Sequence, residues 1–175
     1  MSTYRSLLGI EHSFDHMFIP DWGKLKEQVS ALKMMGAKIV LTQGVFDMIH
    51  EGHCRYIEKA AETGDVLIVG VDSDELTKER KGPKRPLVEE ANRLAILSFL
   101  YPVDILTLRP RTEEQPIDAL VKLIHPDVLI ISETTPDVQG KIIESLRPFC
   151  EELVVLPPQA ATSTTARLRQ IMLDG

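Results

Sequence analysis

Residues 38–64 read KIVLTQGVFDMIHEGHCRYIEKAAETG, and the fold follows from how this stretch is divided. KIVLT is a short apolar run with the composition of a buried strand. GHCRYIEKAAETG places Ile57, Ala60 and Ala61 on one helical face and ends at Gly64, a helix stop. Between them, Gly44 directly after the strand lets the backbone turn sharply or approach a ligand, and Gly52 does the same where the helix begins. His50 and His53, three residues apart, share one side of the first helical turn. Free backbone N–H groups and the positive end of the helix dipole add to the two imidazoles, a combination suited to a phosphoryl group. Two other readings remain open at this point. The histidines could serve as a cap and a surface residue, or they could be metal ligands completed by Asp47 or Glu51 turned inward.

The strand–turn–helix unit recurs on both sides. From Lys24 to Met35, Leu25, Val29, Leu32 and Met35 recur at helical spacing and Gly36 follows as a stop. Val66 to Val71 is a continuous apolar strand, residues 88–100 a helix, and Val103 to Leu108 a strand. PIDALVKLI with DVLIIS, and PDVQGKIIESL with ELVVL, supply two further helix–strand pairs. Continuous apolar strands alternating with amphipathic helices predict an α/β, doubly wound (Rossmann-like) parallel sheet covered on both faces. With 175 residues, the chain suits one domain with a substantial core. Residues 1–23, which carry Phe14, Phe18 and Trp22, are expected to dock as an extension or to form part of an interface. In such sheets ligands gather beyond the carboxyl ends of the strands. Chemistry is therefore expected at Gln43 to His53, from Asp72, from Arg109, from Ser132 and from Pro157 onward.

Composition narrows the function. The 26 acidic and 20 basic residues leave a net charge of -6, which disfavours nucleic acid and requires any phosphate site to be local. Two cysteines without paired spacing fit a reducing, cytoplasmic setting, and no signal peptide or membrane span is expected. One local concentration of charge is VGVDSDELTKERKGPKRP, in which Asp72, Asp74 and Glu75 precede Lys78, Arg80, Lys81, Lys84 and Arg85. It reads either as a solvated loop or as a cationic rim that attracts an anionic substrate. Near the C-terminus, Ser163, Thr164 and Thr165 cap a helix bearing Leu168, Ile171 and Met172, and three hydroxyls exceed what a cap uses. No G-x-G-x-x-G follows the first strand and no G-x-x-x-x-G-K-[ST] occurs, so neither a dinucleotide oxidoreductase nor a P-loop kinase is expected.

G-V-F-D-x-x-H-x-G-H, Gly44 to His53, resembles the signature of the nucleotidyltransferase superfamily that includes glycerol-3-phosphate cytidylyltransferase, phosphopantetheine adenylyltransferase and the heptose-1-phosphate adenylyltransferase domain. The Ser163–Thr165 stretch resembles that family's I-S-T-T element, with Thr162 in place of isoleucine. Lys81, Gly82, Arg85, Pro86, Arg93, Val103 and Asp104 match the heptose branch in order, close resemblance covering residues 38–108. The resemblance implies transfer of a nucleoside monophosphate, AMP rather than CMP, from a nucleoside triphosphate to a phosphorylated acceptor such as a sugar phosphate, with release of pyrophosphate. It assigns His50, His53 and Lys81 to catalysis and Gly44, Val45, Phe46, His50, Gly52, His53, Ser163, Thr164 and Thr165 to the nucleotide. Asp47, Asp72, Lys81 and Arg85 go to the acceptor. Mg²⁺ is expected on the nucleotide phosphates with no protein ligands, and a homodimer is expected. The implied division is an extension and helix over residues 1–36 and a nucleotidyltransferase domain over 37–175. The pattern departs from the heptose branch at Ile131 to Gly140, ISETTPDVQG, where a Lys-Gly-Gly-Asp-Tyr type stretch would stand. A cytidylyltransferase for a polyol or amino-alcohol phosphate, and a catalytically silent nucleotide-binding protein, are the alternatives.

Overall fold

The computed structural model describes residues 12–110, 118–135 and 141–160, with the backbone alone at 141 and 142. Five strands, β1 (Ile39–Gly44), β2 (Val66–Asp72), β3 (Ile105–Arg109), β4 (Val128–Ser132) and β5 (Glu152–Leu156), pair in parallel in the order β3-β2-β1-β4-β5. This is the expected doubly wound sheet. The chain moves outward from β1 through β2 to β3 and then crosses back to β4, so the order reverses between β1 and β4. A crevice at the carboxyl ends of these two strands is the natural ligand site.

Helices cover both faces. Described in chain order, they are α1 (Phe14–Met17), α2 (Trp22–Met34), α3 (Glu51–Ala61), α4 (Asp74–Lys81), α5 (Glu90–Ser98), α6 (Ala119–Ile124) and α7 (Lys141–Leu146), the last followed by a 3-10 turn, Arg147–Phe149. One core layer joins Met17 of α1, Ile57 and Ala60 of α3, and Leu94 and Leu97 of α5 to Val69 and Leu106 of the sheet. The other joins Leu25, Val29 and Leu32 of α2 and Leu120, Val121 and Ile124 of α6 to Ile39, Leu41 and Ile68. Central strands buried on both faces explain the unbroken apolar runs in the sequence.

The segment before β1 is part of this packing. Phe18 forms a parallel bridge to Leu106, Ile19 N–H donates to the Leu106 carbonyl (2.8 Å), and the Trp22 indole donates to the Leu108 carbonyl (3.1 Å). These bonds cover the free edge of β3, an edge that would otherwise present unpaired backbone groups. Asp21 caps α2 by accepting from Gly23 and Lys24 N–H, so the helix starts two residues before the apolar period does.

The structure differs from the sequence reading in two places, the first of which bears on the site. Residues 74–81 form a helix rather than a charged loop; only Leu76 and Thr77 are buried on it, so no apolar stripe announces it. Its end signals were nevertheless present. Ser73 Oγ accepts from Leu76 N–H, Asp74 and Glu75 stand in the first turn, Lys78, Arg80 and Lys81 in the last, and Gly82 (φ 95°) closes it. The start of β3 also moves from Val103 to Ile105, because the Asp104 carboxylate turns back to accept from Leu67 N–H (2.8 Å).

Candidate active site

The cleft beyond β1 and β4 is lined by the turn after β1, by His50, Gly52, His53 and Tyr56 of α3, and by Lys81 at the end of α4. Its far wall is made of Ser132, Thr134 and Thr135 after β4 and Pro157 to Ala160 after β5. The turn GVFDMIH bends at Phe46 (φ 52°) and Met48 (φ 48°), two left-handed non-glycine residues, and not at Gly44. A Cβ at Gly44 would meet nothing nearer than Phe46 Cε2 at 3.5 Å. Glycine there leaves open backbone facing the cleft. At Gly52 the constraint is steric, since a Cβ would sit 2.9 Å from both Ala160 Cβ and His50 Cε1.

His50 is the N-cap of α3, and its Nδ1 accepts from Gly52 N–H at 3.1 Å. That bond leaves the proton of the neutral ring on Nε2. His53 lies one turn on, with its ring centroid 4.1 Å from that of His50 and 5.8 Å from Phe46, which meets it edge-on. Burial first, then the nearby His50 and Lys81, depress His53 to about 4, with Asp47 pulling the other way. His53 is therefore a neutral imidazole at physiological pH. Its Nδ1 and the Oε1 of Gln43, both on cleft residues, are buried polar atoms without a hydrogen-bond partner among the described residues. Beneath them the Tyr56 hydroxyl meets Thr42 Oγ1 at 2.7 Å, and both lie within reach of the Ile130 carbonyl. Burial pushes Tyr56 up to about 12 against the opposing effect of Thr42, so it stays a protonated prop under the cleft floor.

The charged residues expected at the rim separate into distinct roles. Lys81 lines the cleft, and burial of its ammonium together with Arg80 pushes it below the ordinary lysine range, opposed by Asp72 and Asp47. Arg85 reaches back to Asp47 (2.8 Å), whose carboxylate also accepts from Leu87 N–H (3.0 Å) and Val88 N–H (3.0 Å). Burial raises the Asp47 pKa, but these bonds outweigh it and hold the carboxyl below the usual range. Asp47 thus binds the basic segment to the histidine turn. Asp72, expected at the rim as an acceptor ligand, is fully buried and paired with Arg80 and Arg109. The physical reason is that Arg109 ends the neighbouring strand in register with Asp72, and a buried carboxylate requires such a partner. Among the described residues, no group of three His, Cys, Asp or Glu could hold a metal ion. Ser163, Thr164 and Thr165 lie outside the described residues.

The far wall stands where chemistry was expected, from Ser132 and from Pro157 onward, although no individual residue of it was singled out as a site residue. Ser132 Oγ contacts Thr134 Oγ1 (2.8 Å), and Gln159 Nε2 donates to the Pro157 carbonyl (2.6 Å). Position after a strand end was the available signal; Ser and Thr there look like any turn.

A model of the family described as Cytidylyltransferase-like matches residues 41–169, a stretch that contains both Gly44–His53 and Ser163–Thr165. The Bifunctional protein HldE of Desulfatibacillum aliphaticivorans is 36% identical over 155 residues, covering 87% of this chain and 30% of the relative. That of Haemophilus influenzae strain PittEE is 45% identical over 107 residues, 61% of this chain and 22% of the relative. The chain thus spans less than a third of the length of these relatives. Among solved structures, a lipopolysaccharide core biosynthesis protein from Thermoplasma volcanium GSS1 superposes with a TM-score of 0.61 at 26% identity, covering 70% of this chain and 98% of that one. Pantoate-beta-alanine ligase from Francisella tularensis, at 17% identity and TM-score 0.62 over 88% of this chain and 72% of its own, shares the fold.

Proposed function

The chain belongs to the cytidylyltransferase-like family of nucleotidyltransferases, and on that premise we propose that it transfers AMP from ATP to a sugar phosphate, releasing pyrophosphate. The observation that carries this reading is the pair of imidazoles 4.1 Å apart at the start of α3, facing the cleft where the strand order reverses. An oxygen of the acceptor phosphate attacks the α-phosphorus, the bond from that phosphorus to the α,β-bridging oxygen breaks, and the electron pair leaves with pyrophosphate. Such a reaction depends on alignment and on stabilising charge in the transition state. His50, its Nδ1 occupied by Gly52 N–H, offers Nε2–H to a non-bridging oxygen, and His53 meets the same phosphates as a neutral ring. Gly44, Val45 and Phe46 border the nucleotide, while Lys81 and Arg85 balance phosphate charge. Asp47 acts on the acceptor through the segment it holds. Ser163, Thr164 and Thr165 receive the departing pyrophosphate. When bound with the nucleotide, Mg²⁺ would supply charge neutralisation to the phosphates, and no protein ligand is assigned to it.

Residues 37–175 carry this chemistry, with the segment over 1–36 as its extension. The preference for ATP, a homodimer and a cytoplasmic setting belong to the same proposal. They rest on the family resemblance and, for the last, on the unpaired Cys54 and Cys150. Among the described residues, no helix is long and apolar enough to cross a membrane.

The test is pyrophosphate release with ATP and CTP in parallel, with Mg²⁺, against sugar, polyol and amino-alcohol phosphates. Release with ATP that depends on a sugar phosphate is the expected result. Release with CTP and a polyol or amino-alcohol phosphate would transfer the chain to the cytidylyltransferase reading, and nucleotide binding without release to a binding protein.

A further inference from the structure

Arg93 is a fully buried guanidinium in the middle of α5. Its Nε donates to the Val88 carbonyl (2.8 Å), Nη1 to the Val45 carbonyl, and Nη2 to both the Asp72 carbonyl (2.8 Å) and Asp74 Oδ1 (2.7 Å). These acceptors belong to the turn after β1, the end of β2, the start of α4 and the segment leading into α5. Glu90, one turn earlier on α5, accepts from Asp74 N–H at 2.7 Å and ties the start of α4 to the same helix.

Burying a guanidinium is costly unless its donors are satisfied, and a bulky apolar residue would fill the same volume without that cost. What an apolar residue could not do is bond three strand-end and loop carbonyls at once. Lysine could not do it either, because its donors radiate from a single point whereas the planar fork spans separate acceptors. The Val88 peptide shows the consequence. Its carbonyl is held by Arg93 and its N–H by Asp47, and Val45, another carbonyl that Arg93 holds, lies two residues before Asp47. Arg93 and Asp47 are thus two halves of one clamp between the histidine turn and the basic segment.

We propose that Arg93 is a positioning residue for the transfer step: by bonding Val45 and Val88 together it sets the placement of Lys81 and Arg85 relative to His50 and His53. It touches no substrate. The proposal rests on the transferase reading of the same cleft.

The test compares Arg93→Lys and Asp74→Asn with the wild type in steady-state transfer, nucleotide binding and amide hydrogen exchange. Arg93→Lys should lower kcat about 100-fold, the usual cost of misplacing reacting groups by an ångström. Nucleotide Kd and acceptor KM should stay within about threefold. Exchange should quicken at residues 45–48 and 85–88 together while β1 and β2 keep their protection. Asp74→Asn leaves an amide oxygen to accept, so kcat should fall only roughly fivefold with KM unchanged. An unchanged kcat in folded Arg93→Lys would overturn the proposal. So would a loss of protection spread evenly over the sheet with activity tracking the folded fraction. If Arg93→Lys fails to fold, Asp74→Asn decides by the same two readouts. A wild type silent with every acceptor would refute the transferase reading instead, and the exchange pattern would then decide whether Arg93 couples the two segments.

Discussion

The two walls of the cleft are built on opposite principles. On the histidine side the groups that frame the imidazoles are tied to distant parts of the chain: Asp47 to Arg85, Leu87 and Val88, Arg93 to Val45 and Asp72, and Tyr56 to Thr42, while His50 Nδ1 itself accepts from Gly52, two residues on. On the far side they bond to their own neighbours, Ser132 to Thr134 and Gln159 to Pro157. A group locked by long-range buried bonds meets a transition state already aimed, at no cost of reorganisation at the moment of reaction. A hydroxyl bonded two residues away can turn toward a new partner. The contrast suggests that chemistry resides on the rigid wall and acceptor choice on the adaptable one.

The hardest test of that contrast is His50→Ala. It should cut kcat by about two to three orders of magnitude in the pyrophosphate-release assay, the size of losing one transition-state donor. A rate within threefold of wild type would remove the histidine wall from the chemistry. Next, Asp47→Ala leaves Arg85 and two backbone N–H groups without their acceptor. It should cost about 3 kcal/mol in urea denaturation. The wild-type contribution has a definite pH window. Because the folded Asp47 pKa lies below its ordinary 3.8, the stabilisation is complete above about pH 4 and is lost as the pH falls through the lower folded value. Asp47→Ala should lose that part of the acid transition.

His53 sharpens the same comparison by titration. With a folded pKa of about 4 against 6.5 for the free side chain, the unfolded chain binds the extra proton between these values. Its contribution to stability is present above pH 6.5 and declines as the pH falls toward 4. Ring NMR signals of His53 should titrate near 4; a midpoint near 6.5 would mean that the ring is open to water. Gly52→Ala is a test of sign. Alanine in the first turn of a helix ordinarily gains up to about 1 kcal/mol over glycine. Here, crowding against Ala160 and His50 should reverse this to a loss of about 1–3 kcal/mol. The smallest effect belongs to the far wall. Ser132→Ala should change thermal stability by no more than about 0.5 kcal/mol while shifting acceptor KM a few fold. A loss of turnover as large as that for His50→Ala would erase the difference between the walls.

Much of the molecule is legible in the sequence, and the exceptions have physical causes. The strands were readable because a sheet covered on both faces demands unbroken apolar runs, and α2, α3 and α5 because each buries one face. Helix α4 escaped because it buries almost nothing, although Ser73 and Gly82 marked its ends. The histidine turn was legible as a local pattern. The engagement of Asp47, the burial of Asp72 and the bonds of Arg93 were not, because most of their partners lie 19 to 48 residues away.

By itself the sequence determined the alternation of strands and helices, the placing of two histidines at a helix start, and membership of a family whose pattern is local and contiguous. Those are matters of short-range periodicity and capping, which a linear chain carries openly. The tertiary structure alone decided which charges face the cleft and which are used to build it. A carboxylate or guanidinium reads the same in sequence whether it is solvated, catalytic or buried. Its role is set by which groups the fold brings within hydrogen-bond distance, and at Asp72 and Arg93 those groups are strand ends and loop carbonyls that only the sheet assembles.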